Sequence, residues 1–207
     1  RALAAAQPEG PLLRILEVGG GTGGTTAWVA PALDPQRTEY RFTDVGPLLV
    51  ARARERFAAH GFMRFDVLDL ERELPDQGLG DERFDVILAT NVVHATADLR
   101  RTLARLRTAL APGGTLLLLE GVRAERWIDV TFGLTEGWWR FVDTGLRADY
   151  PLLSRGQWLS LLAAEGFEVA QGAPDGGAGD PDLFAQLGHG GLAPALDALE
   201  DALLPVL

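Results

Sequence analysis

The sequence predicts an α/β fold, in which a doubly wound, mostly parallel, Rossmann-like sheet carries helices on both faces. Three observations support this prediction. Apolar runs of strand length alternate with helical patterns along most of the chain, as in proteins that build a parallel sheet. The runs stay apolar at successive positions, which is typical of strands buried on both faces. A glycine-rich turn follows the first run, at the edge where such sheets bind ligands.

Five strands and three intervening helices are predicted before residue 121. The strands are the apolar runs that end at a glycine-rich or polar turn, namely 12–18, 39–45, 62–70, 84–93 and 115–120. The helices are the amphipathic segments between them, namely 25–33, 47–61 and 98–110. Pro47 in the first turn of the second helix and Gly61 at its end fit the residue preferences of helix boundaries.

The pattern changes after residue 120. Residues 121–150 contain three of the five tryptophans and fit no clean period. Ser154 and Gln157 form a capping-box pattern that predicts the start of a helix, and FEVA at 167–170 predicts a sixth strand. We therefore predict four units: a core at 1–170, its aromatic-rich insertion at 121–150, a Gly/Pro/Asp-rich loop or linker at 171–182, and a C-terminal segment at 183–207 that is helical at its end.

Composition excludes several classes of function. The 207-residue chain has a formal net charge of −10, which argues against binding to nucleic acid or to an anionic membrane surface. No apolar run approaches the roughly 20 residues that span a bilayer, and the N-terminal residues do not resemble a secretory signal. Because cysteine is absent, disulfides and thiolate metal sites are excluded. We predict no metal site and a cytoplasmic location.

The glycine-rich turn ILEVGGGTGGTT is the strongest local signal. Glycines at Gly19, Gly21 and Gly23 allow the backbone to approach a ligand closely between a strand and a helix. The same letters satisfy the dinucleotide pattern G-x-G-x-x-G through Gly19, Gly21 and Gly24. The glycines alone therefore leave a dinucleotide and other nucleoside ligands open.

Acidic residues near this turn favour S-adenosylmethionine as the cofactor. Glu17 precedes the turn by two residues, where a carboxylate would repel a pyrophosphate but tolerate the ammonium and sulfonium groups of S-adenosylmethionine. Asp44, at the end of the second strand, can accept hydrogen bonds from both ribose hydroxyls. Asp69, after the third strand, can accept from the adenine amino group. The alternative interpretations are that Asp44 caps a loop and that Asp69 is a solvated charge.

Two further strands end in polar residues. The segment ATNVVHAT, 89–96, brings Asn91 and His94 to the end of the fourth strand, and Glu120 ends the fifth. Since ligands bind at the carboxyl ends of strands in open α/β sheets, these residues are candidates for a site. By position alone, a histidine at a strand end is more often a structural loop residue.

Six segments together resemble one known family, the C-methyltransferase domains of modular polyketide synthases. They are LEVGGGTGGTT, YRFTDV, FDVILATNVVHATADLRRTL, LAPGGTLLLLE, GWWRF and LRADYPLLSRGQWLSLL. The resemblance covers roughly residues 12–170, and its NVVHAT and GWW segments are far more specific than the glycine loop. Domains of this family usually carry a helical lid before the glycine-loop strand. Because this sequence has almost none of it, we expect that the lid lies outside the sequence or that the substrate tunnel is incomplete.

This resemblance implies a class I S-adenosylmethionine-dependent methyltransferase fold and a specific reaction. Such domains methylate the α-carbon of a β-ketoacyl chain on an acyl carrier protein, so the carrier protein and neighbouring synthase domains are the implied partners. His94 and Glu120 match the catalytic base pair of the family. Asn91 is predicted to bind the methionine moiety or to position the acyl carbonyl. Five aromatic residues are predicted either to form a wall for an apolar acyl chain or to pack in the core. They are Trp127, Phe132, Trp138, Trp139 and Phe141.

Other interpretations stay open from the sequence. Two alternatives are a scaffold domain that keeps the fold without catalysis and a methyltransferase that acts on oxygen or nitrogen. A nicotinamide oxidoreductase is disfavoured by Glu17 and by the lack of a Tyr–Lys pair, since the chain has no lysine. The arginines at 100, 101, 105 and 107 are interpreted as a solvated helix face, with a carrier-protein contact as the alternative. His60 and His189 are interpreted as structural or incidental.

Overall fold

Seven strands form one sheet in the order β3-β2-β1-β4-β5-β7-β6. The computed structural model describes residues 12–172 and 182–187, with side chains described through Glu168. The strands are β1 (Leu13–Val18), β2 (Thr38–Asp44), β3 (Met63–Val67), β4 (Phe84–Thr90), β5 (Leu110–Glu120), β6 (Glu168–Gly172) and β7 (Asp182–Leu187).

The first five strands are parallel, and their order reverses direction between β1 and β4. Ile15 in β1 lies opposite Tyr40 of β2 on one side and Val86 of β4 on the other. Strand β5 pairs with β4, so that Thr90 lies opposite Leu119. The predicted doubly wound, mostly parallel α/β fold is confirmed, and the reversal is the position at which such sheets bind ligands.

Strand β7 lies between β5 and β6 and is antiparallel to both. The predicted boundary at residue 170 was therefore too early, because 182–187 completes the sheet of the core. Strand β7 was not predicted because it is short and follows a glycine-rich segment, so its sequence shows little strand periodicity. Its partner strand β5 also lies more than 60 residues earlier in the chain. The rest of the predicted linker and C-terminal helix, 173–181 and 188–207, lies outside the described residues.

Within the described part of the chain, five α-helices connect or cover the strands. They are α1 (Gly24–Val29), α2 (Pro47–Arg56), α3 (Leu99–Ala109), α4 (Arg126–Thr131) and α5 (Arg155–Ala164). The first is shorter than predicted because the chain tightens into a 3₁₀ turn at Ala30–Ala32, where Pro31 has no N–H to continue an α-helix. No helix among the described residues is both long and apolar enough to cross a membrane.

Apolar residues form one cluster on each face of the sheet. In β1, Leu16 faces α3 and α5, whereas Ile15 faces the cluster that includes residues of α1 and α2. This alternation along one strand is what buries both faces of the sheet. Because both faces of the sheet are covered, the strand ends are held in place, and so are the loops that follow them at the carboxyl edge.

The capping box of α5 gives a test of the fold. Ser154 accepts a hydrogen bond from the backbone N–H of Gln157, and Gln157 reaches back to the N–H of Ser154. We expect Ser154→Ala to lower the free energy of unfolding by about 0.5–2 kcal/mol, measured by urea denaturation. Ser160→Ala, an exposed position in the same helix, is the matched control and should change it by less than about 0.5 kcal/mol. Equal effects of both substitutions would contradict the capping role.

Candidate active site

Most of the residues singled out in the sequence lie at one edge of the sheet. The glycine loop follows β1, Asp44 ends β2, Asn91 follows β4, and Glu120 ends β5. Because the strands are parallel, their carboxyl ends all open at this edge. The structure therefore brings together a glycine loop, two carboxylates and an imidazole that are separated by up to about a hundred residues in sequence.

The three glycines of the loop have different roles in the structure. All three adopt left-handed backbone angles, with φ of 63°, 56° and 78° for Gly19, Gly21 and Gly23. A Cβ on Gly19 would lie 2.2 Å from Val92 Cγ2, and one on Gly23 would lie 2.6 Å from the ring of Phe57. A Cβ on Gly21 would meet no atom closer than 3.9 Å. Packing therefore requires Gly19 and Gly23, whereas no protein atom crowds the Cβ side of Gly21.

Asp44 joins the glycine loop to the turn after β2. Its Oδ2 accepts the N–H of Gly21 at 2.9 Å, and its Oδ1 accepts the N–H of Gly46 at 2.8 Å. Each carboxylate oxygen has a second lone pair, so these bonds leave acceptor capacity for ribose hydroxyls. The loop-cap interpretation describes the observed contacts, and the ribose contact stays a prediction.

Asp69 caps the loop after β3. Its Oδ1 accepts the N–H of Glu71 at 2.8 Å, and its own N–H donates to Gln77 Oε1 at 2.8 Å. The side chain is half-buried rather than fully solvated. Its proposed contact with an adenine amino group stays a prediction.

Glu17 lies beneath the glycine loop rather than on its surface. The side chain is only 2% exposed, and its Oε2 accepts hydrogen bonds from the hydroxyls of Thr26 at 2.5 Å and Tyr40 at 2.8 Å. Burial raises the pKa of Glu17, although the hydroxyls of Thr26 and Tyr40 oppose the shift. The sequence-based prediction assumed that the Glu17 carboxylate lies close to the ligand. In the structure the carboxylate is buried beneath the loop. The structure supports a role under the loop, and direct cofactor contact stays a prediction.

His94 and Glu120 meet at the ends of adjacent strands. His94 lies in the 3₁₀ turn Val93–Ala95 that follows β4, and its Nδ1 is hydrogen-bonded to Oε2 of Glu120. The Glu120 side chain is 0% exposed. Its Oε1 accepts the N–H groups of Val93 at 2.7 Å and Val92 at 3.2 Å. Such a carboxylate holds the Nδ1 proton of a neutral ring, which leaves a lone pair on Nε2.

The imidazole lines an apolar pocket of about 860 Å³. Trp138 packs its ring against His94 at a centroid distance of 5.4 Å and is stacked with Phe132 at 5.8 Å. Trp127 also lines the pocket. Three of the five predicted aromatic residues therefore lie at the pocket. Trp139 instead packs against Tyr150, and Phe141 lies under the guanidinium of Arg147.

Asn91 lies between the pocket and the strand ends. It has a left-handed φ of 49°, and its Oδ1 accepts the N–H of Gly121 at 3.0 Å. This bond fixes the orientation of the amide and leaves its NH₂ group as the free donor. That donor could bind an acyl carbonyl or the carboxylate of the methionine moiety, so both predicted roles stay open.

The remaining predicted residues lie outside this cluster. Arg100, Arg101 and Arg105 pair with Glu165, Asp98 and Glu73, respectively. The exposed face of α3 is therefore largely neutralised, and a carrier-protein contact there stays a prediction. His60 packs between Phe57 and Phe62, while His189 lies outside the described residues. Among the described side chains, no group of three or more His, Asp or Glu is placed to hold a metal ion.

Two further contacts, which were not predicted from the sequence, hold the strand ends in place. Thr25 of α1 donates its hydroxyl to Thr90 of β4 at 3.1 Å, which ties the glycine loop to the fourth strand. Arg147 donates to the carbonyl oxygen of His94 at 2.7 Å. Arg147 lies in a segment without periodicity, so the sequence offered no signal that it is buried.

Comparisons with known proteins agree with this geometry. A family model described as a methyltransferase domain matches residues 16–116. The non-reducing polyketide synthase atr1 of Stereocaulon alpinum is 43% identical over an alignment of 167 residues, and the alignment covers 78% of the chain and 6% of that protein. The chain thus spans a small fraction of the curated relative it matches.

Two solved structures extend the likeness to three dimensions. The CurJ carbon methyltransferase has 42% identity and a TM-score of 0.83, and the match covers 88% of the chain and 50% of that protein. The trans-methyltransferase CalH, solved as a complex with SAH, has 34% identity and a TM-score of 0.77, with 89% and 53% covered.

The buried position of Glu17 predicts a specific pH dependence of stability. Because its folded-state pKa is raised, the stability it contributes is fully present below the unfolded pKa of about 4.3 and is lost as pH rises through the folded value. We expect Glu17→Gln to remove this decline, by up to about 1.4 kcal/mol per pH unit. Urea midpoints measured at several pH values above 4.5 would show it.

Glu39→Gln is the control for this comparison, because Glu39 is a surface residue paired with Arg14 and its side chain is 44% exposed. Its pH profile should match that of the parent protein. A Glu17→Gln profile parallel to the parent profile would mean that Glu17 is ionised in the folded protein.

Proposed function

The chain belongs to the methyltransferase domains that occur in polyketide synthases, and from this premise we propose its reaction. It transfers a methyl group from S-adenosylmethionine to the α-carbon of a β-ketoacyl chain that is carried by an acyl carrier protein. The observation that carries this proposal is the His94–Glu120 pair, whose imidazole faces an apolar pocket at the ligand-binding edge of the sheet.

The pair suits the removal of a carbon-bound proton. The α-proton of a β-ketothioester is moderately acidic because the resulting enolate is spread over two carbonyls. Nε2 of His94 is free to accept that proton, since Nδ1 is held by Glu120. The imidazolium that forms then lies against a carboxylate, which stabilises its charge. His94 is therefore the proposed general base and Glu120 the residue that orients and stabilises it.

The residues of the glycine loop fit S-adenosylmethionine. Gly21 leaves open space beside the loop, and Asp44 supplies carboxylate acceptors next to it. We expect Asp44 to hold the ribose and the amide of Asn91 to face either the methionine moiety or the acyl carbonyl. When bound, the cofactor supplies an electrophilic methyl group on a sulfonium centre.

The aromatic pocket supports an acyl substrate. Trp138 and Phe132 present stacked rings beside His94, and a wall of this kind holds an apolar chain and keeps water away from the enolate. The proposed partners are the acyl carrier protein and neighbouring synthase domains, in keeping with the polyketide synthases that the chain resembles. A cytoplasmic location fits a domain without cysteine.

Substitution of His94 tests the proposal in the complete natural polypeptide that contains the chain. With S-adenosylmethionine and acetoacetyl-carrier protein, or its pantetheine surrogate, mass analysis should show a gain of one methyl group. We expect His94→Gln to lower turnover by about 10²- to 10⁴-fold, because general-base catalysis contributes that much. Its affinity for S-adenosylmethionine, measured by calorimetry, should stay within about twofold of the parent value.

The control variant is His60→Gln, which removes a histidine that packs on Phe57 and Phe62 away from the site and should leave turnover unchanged. Methylation on oxygen or nitrogen would identify a heteroatom methyltransferase. Saturable cofactor binding without any methylation of the acetoacetyl substrate would point to a scaffold, and His94→Gln with near-parent turnover would refute the assigned base.

A further inference from the structure

We propose that Arg147, together with Asp143, is a positioning residue for the catalytic histidine. This inference rests on the proposed function, because it concerns the base of that reaction. Arg147 is not among the residues that line the pocket, so it does not touch the substrate. It acts through the backbone of the turn that carries His94.

The guanidinium of Arg147 is fully buried, and its hydrogen-bond partners are one carboxylate and three backbone carbonyls. Its side chain is 0% exposed. Nε donates to Asp143 Oδ1 at 2.6 Å, and Nη1 donates to the carbonyl of His94 at 2.7 Å. Nη2 donates to the carbonyls of Thr96 at 2.8 Å and Ala97 at 3.0 Å. One side chain thus binds three of the four carbonyls in the segment 94–97.

Asp143 extends this contact to the helix that follows. Its Oδ2 accepts the N–H of Leu99, in the first turn of α3, at 3.0 Å. The backbone N–H of Val142 also donates to the carbonyl of Ala97 at 2.9 Å. The loop between β4 and α3 is therefore held along its length by residues about 50 positions later in the chain.

His94 is consequently anchored from two sides. Glu120 holds the imidazole through Nδ1, and Arg147 holds the carbonyl of the same residue. Glu120 also accepts the N–H groups of Val92 and Val93, so it fixes the amino side of the turn, whereas Arg147 holds the carbonyl of His94 on the other side. Without Arg147 this second side of the turn could shift, and Nε2 would move relative to the pocket. Misplacement of a catalytic group by about 1 Å can lower a rate by roughly 10²-fold. The second anchor therefore sets where the lone pair of the base lies.

The shape of the guanidinium makes arginine specific here. Its five N–H donors lie in one planar fork, which matches a carboxylate on one side and several carbonyls on the other. A lysine ammonium keeps the charge but has three donors at a single point. Lysine at this position cannot serve Asp143 and the three carbonyls together, so Arg147→Lys separates the geometry of the anchor from its charge.

The first test compares Arg147→Lys and Asp143→Asn with the parent polypeptide. We expect both variants to lower kcat by about 10- to 100-fold, while the Kd for S-adenosylmethionine stays within about twofold. Arg14→Lys is the matched control, because Arg14 is a 52% exposed arginine at the amino end of β1, paired with Glu39, and should leave kcat unchanged. Equal loss of kcat and of cofactor affinity would indicate a general structural defect and overturn the proposal.

A double substitution tests whether Arg147 acts through His94. If it does, Arg147→Lys should produce no further loss of residual turnover in a His94→Gln background, since the effects of coupled residues are not additive. A further drop as large as the one seen in the parent background would overturn the proposal.

A spectroscopic test does not depend on the proposed reaction. In protein labelled with nitrogen-15 histidine, the ring signal that disappears in His94→Gln is the one from His94, and the signal lost in His60→Gln identifies His60. We expect Arg147→Lys and Asp143→Asn to shift or broaden the Nδ1–H signal that reports the bond to Glu120, and to leave the signal of His60 unchanged. An unchanged His94 signal in both variants would overturn the positioning role, even if methylation is never observed.

Discussion

The structure of the site depends on a carboxylate that is entirely removed from water. Glu120 is 0% exposed, and an anion in such a position is strongly destabilising unless it is paired and hydrogen-bonded. Its partners all come from one short segment, 92–94, which supplies the backbone N–H groups of Val92 and Val93 and the imidazole of His94. The hydrogen bonds to this carboxylate therefore fix the conformation of the chain after β4 and also orient the histidine. The structure of the site and the proposed catalysis both depend on the interaction between Glu120 and this segment.

The sheet makes that interaction possible, because β4 and β5 are adjacent and parallel. Thr90 lies opposite Leu119, and the N–H of Asn91 donates to the carbonyl of Leu119 at 2.7 Å, so the next residues of both strands emerge side by side. The glycine loop comes from the neighbouring strand β1 and contacts the same segment, since Gly19 packs against Val92. The glycine loop and the turn that carries His94 are thus in contact. This contact brings the proposed cofactor loop close to the proposed base, and such proximity suits the joining of two bound reactants.

Particular residues show what the sequence could predict. Buried parallel strands leave long apolar runs, so the central strands were found, and the polar residues at their ends marked the edge that holds His94 and Glu120. Contacts between residues that are far apart in the chain produce no such local sequence pattern. Strand β7 was missed because its pairing with β5 is not encoded in a local period. Arg147 was missed because an arginine is usually exposed, and only the fold reveals the carbonyls around it. The cofactor role of Glu17 stays a prediction, and its burial against Tyr40 could not be read from strand alternation.

The central claim is that Glu120 presents His94 as a base toward an acidic C–H group. Exchange of the α-protons of acetoacetyl-carrier protein with deuterated solvent, followed by mass analysis in the absence of any methyl donor, isolates that step. We expect the protein to accelerate exchange above the spontaneous rate and Glu120→Gln to abolish most of the acceleration. Exchange at the spontaneous rate with the intact protein, or acceleration that survives Glu120→Gln unchanged, would contradict this claim.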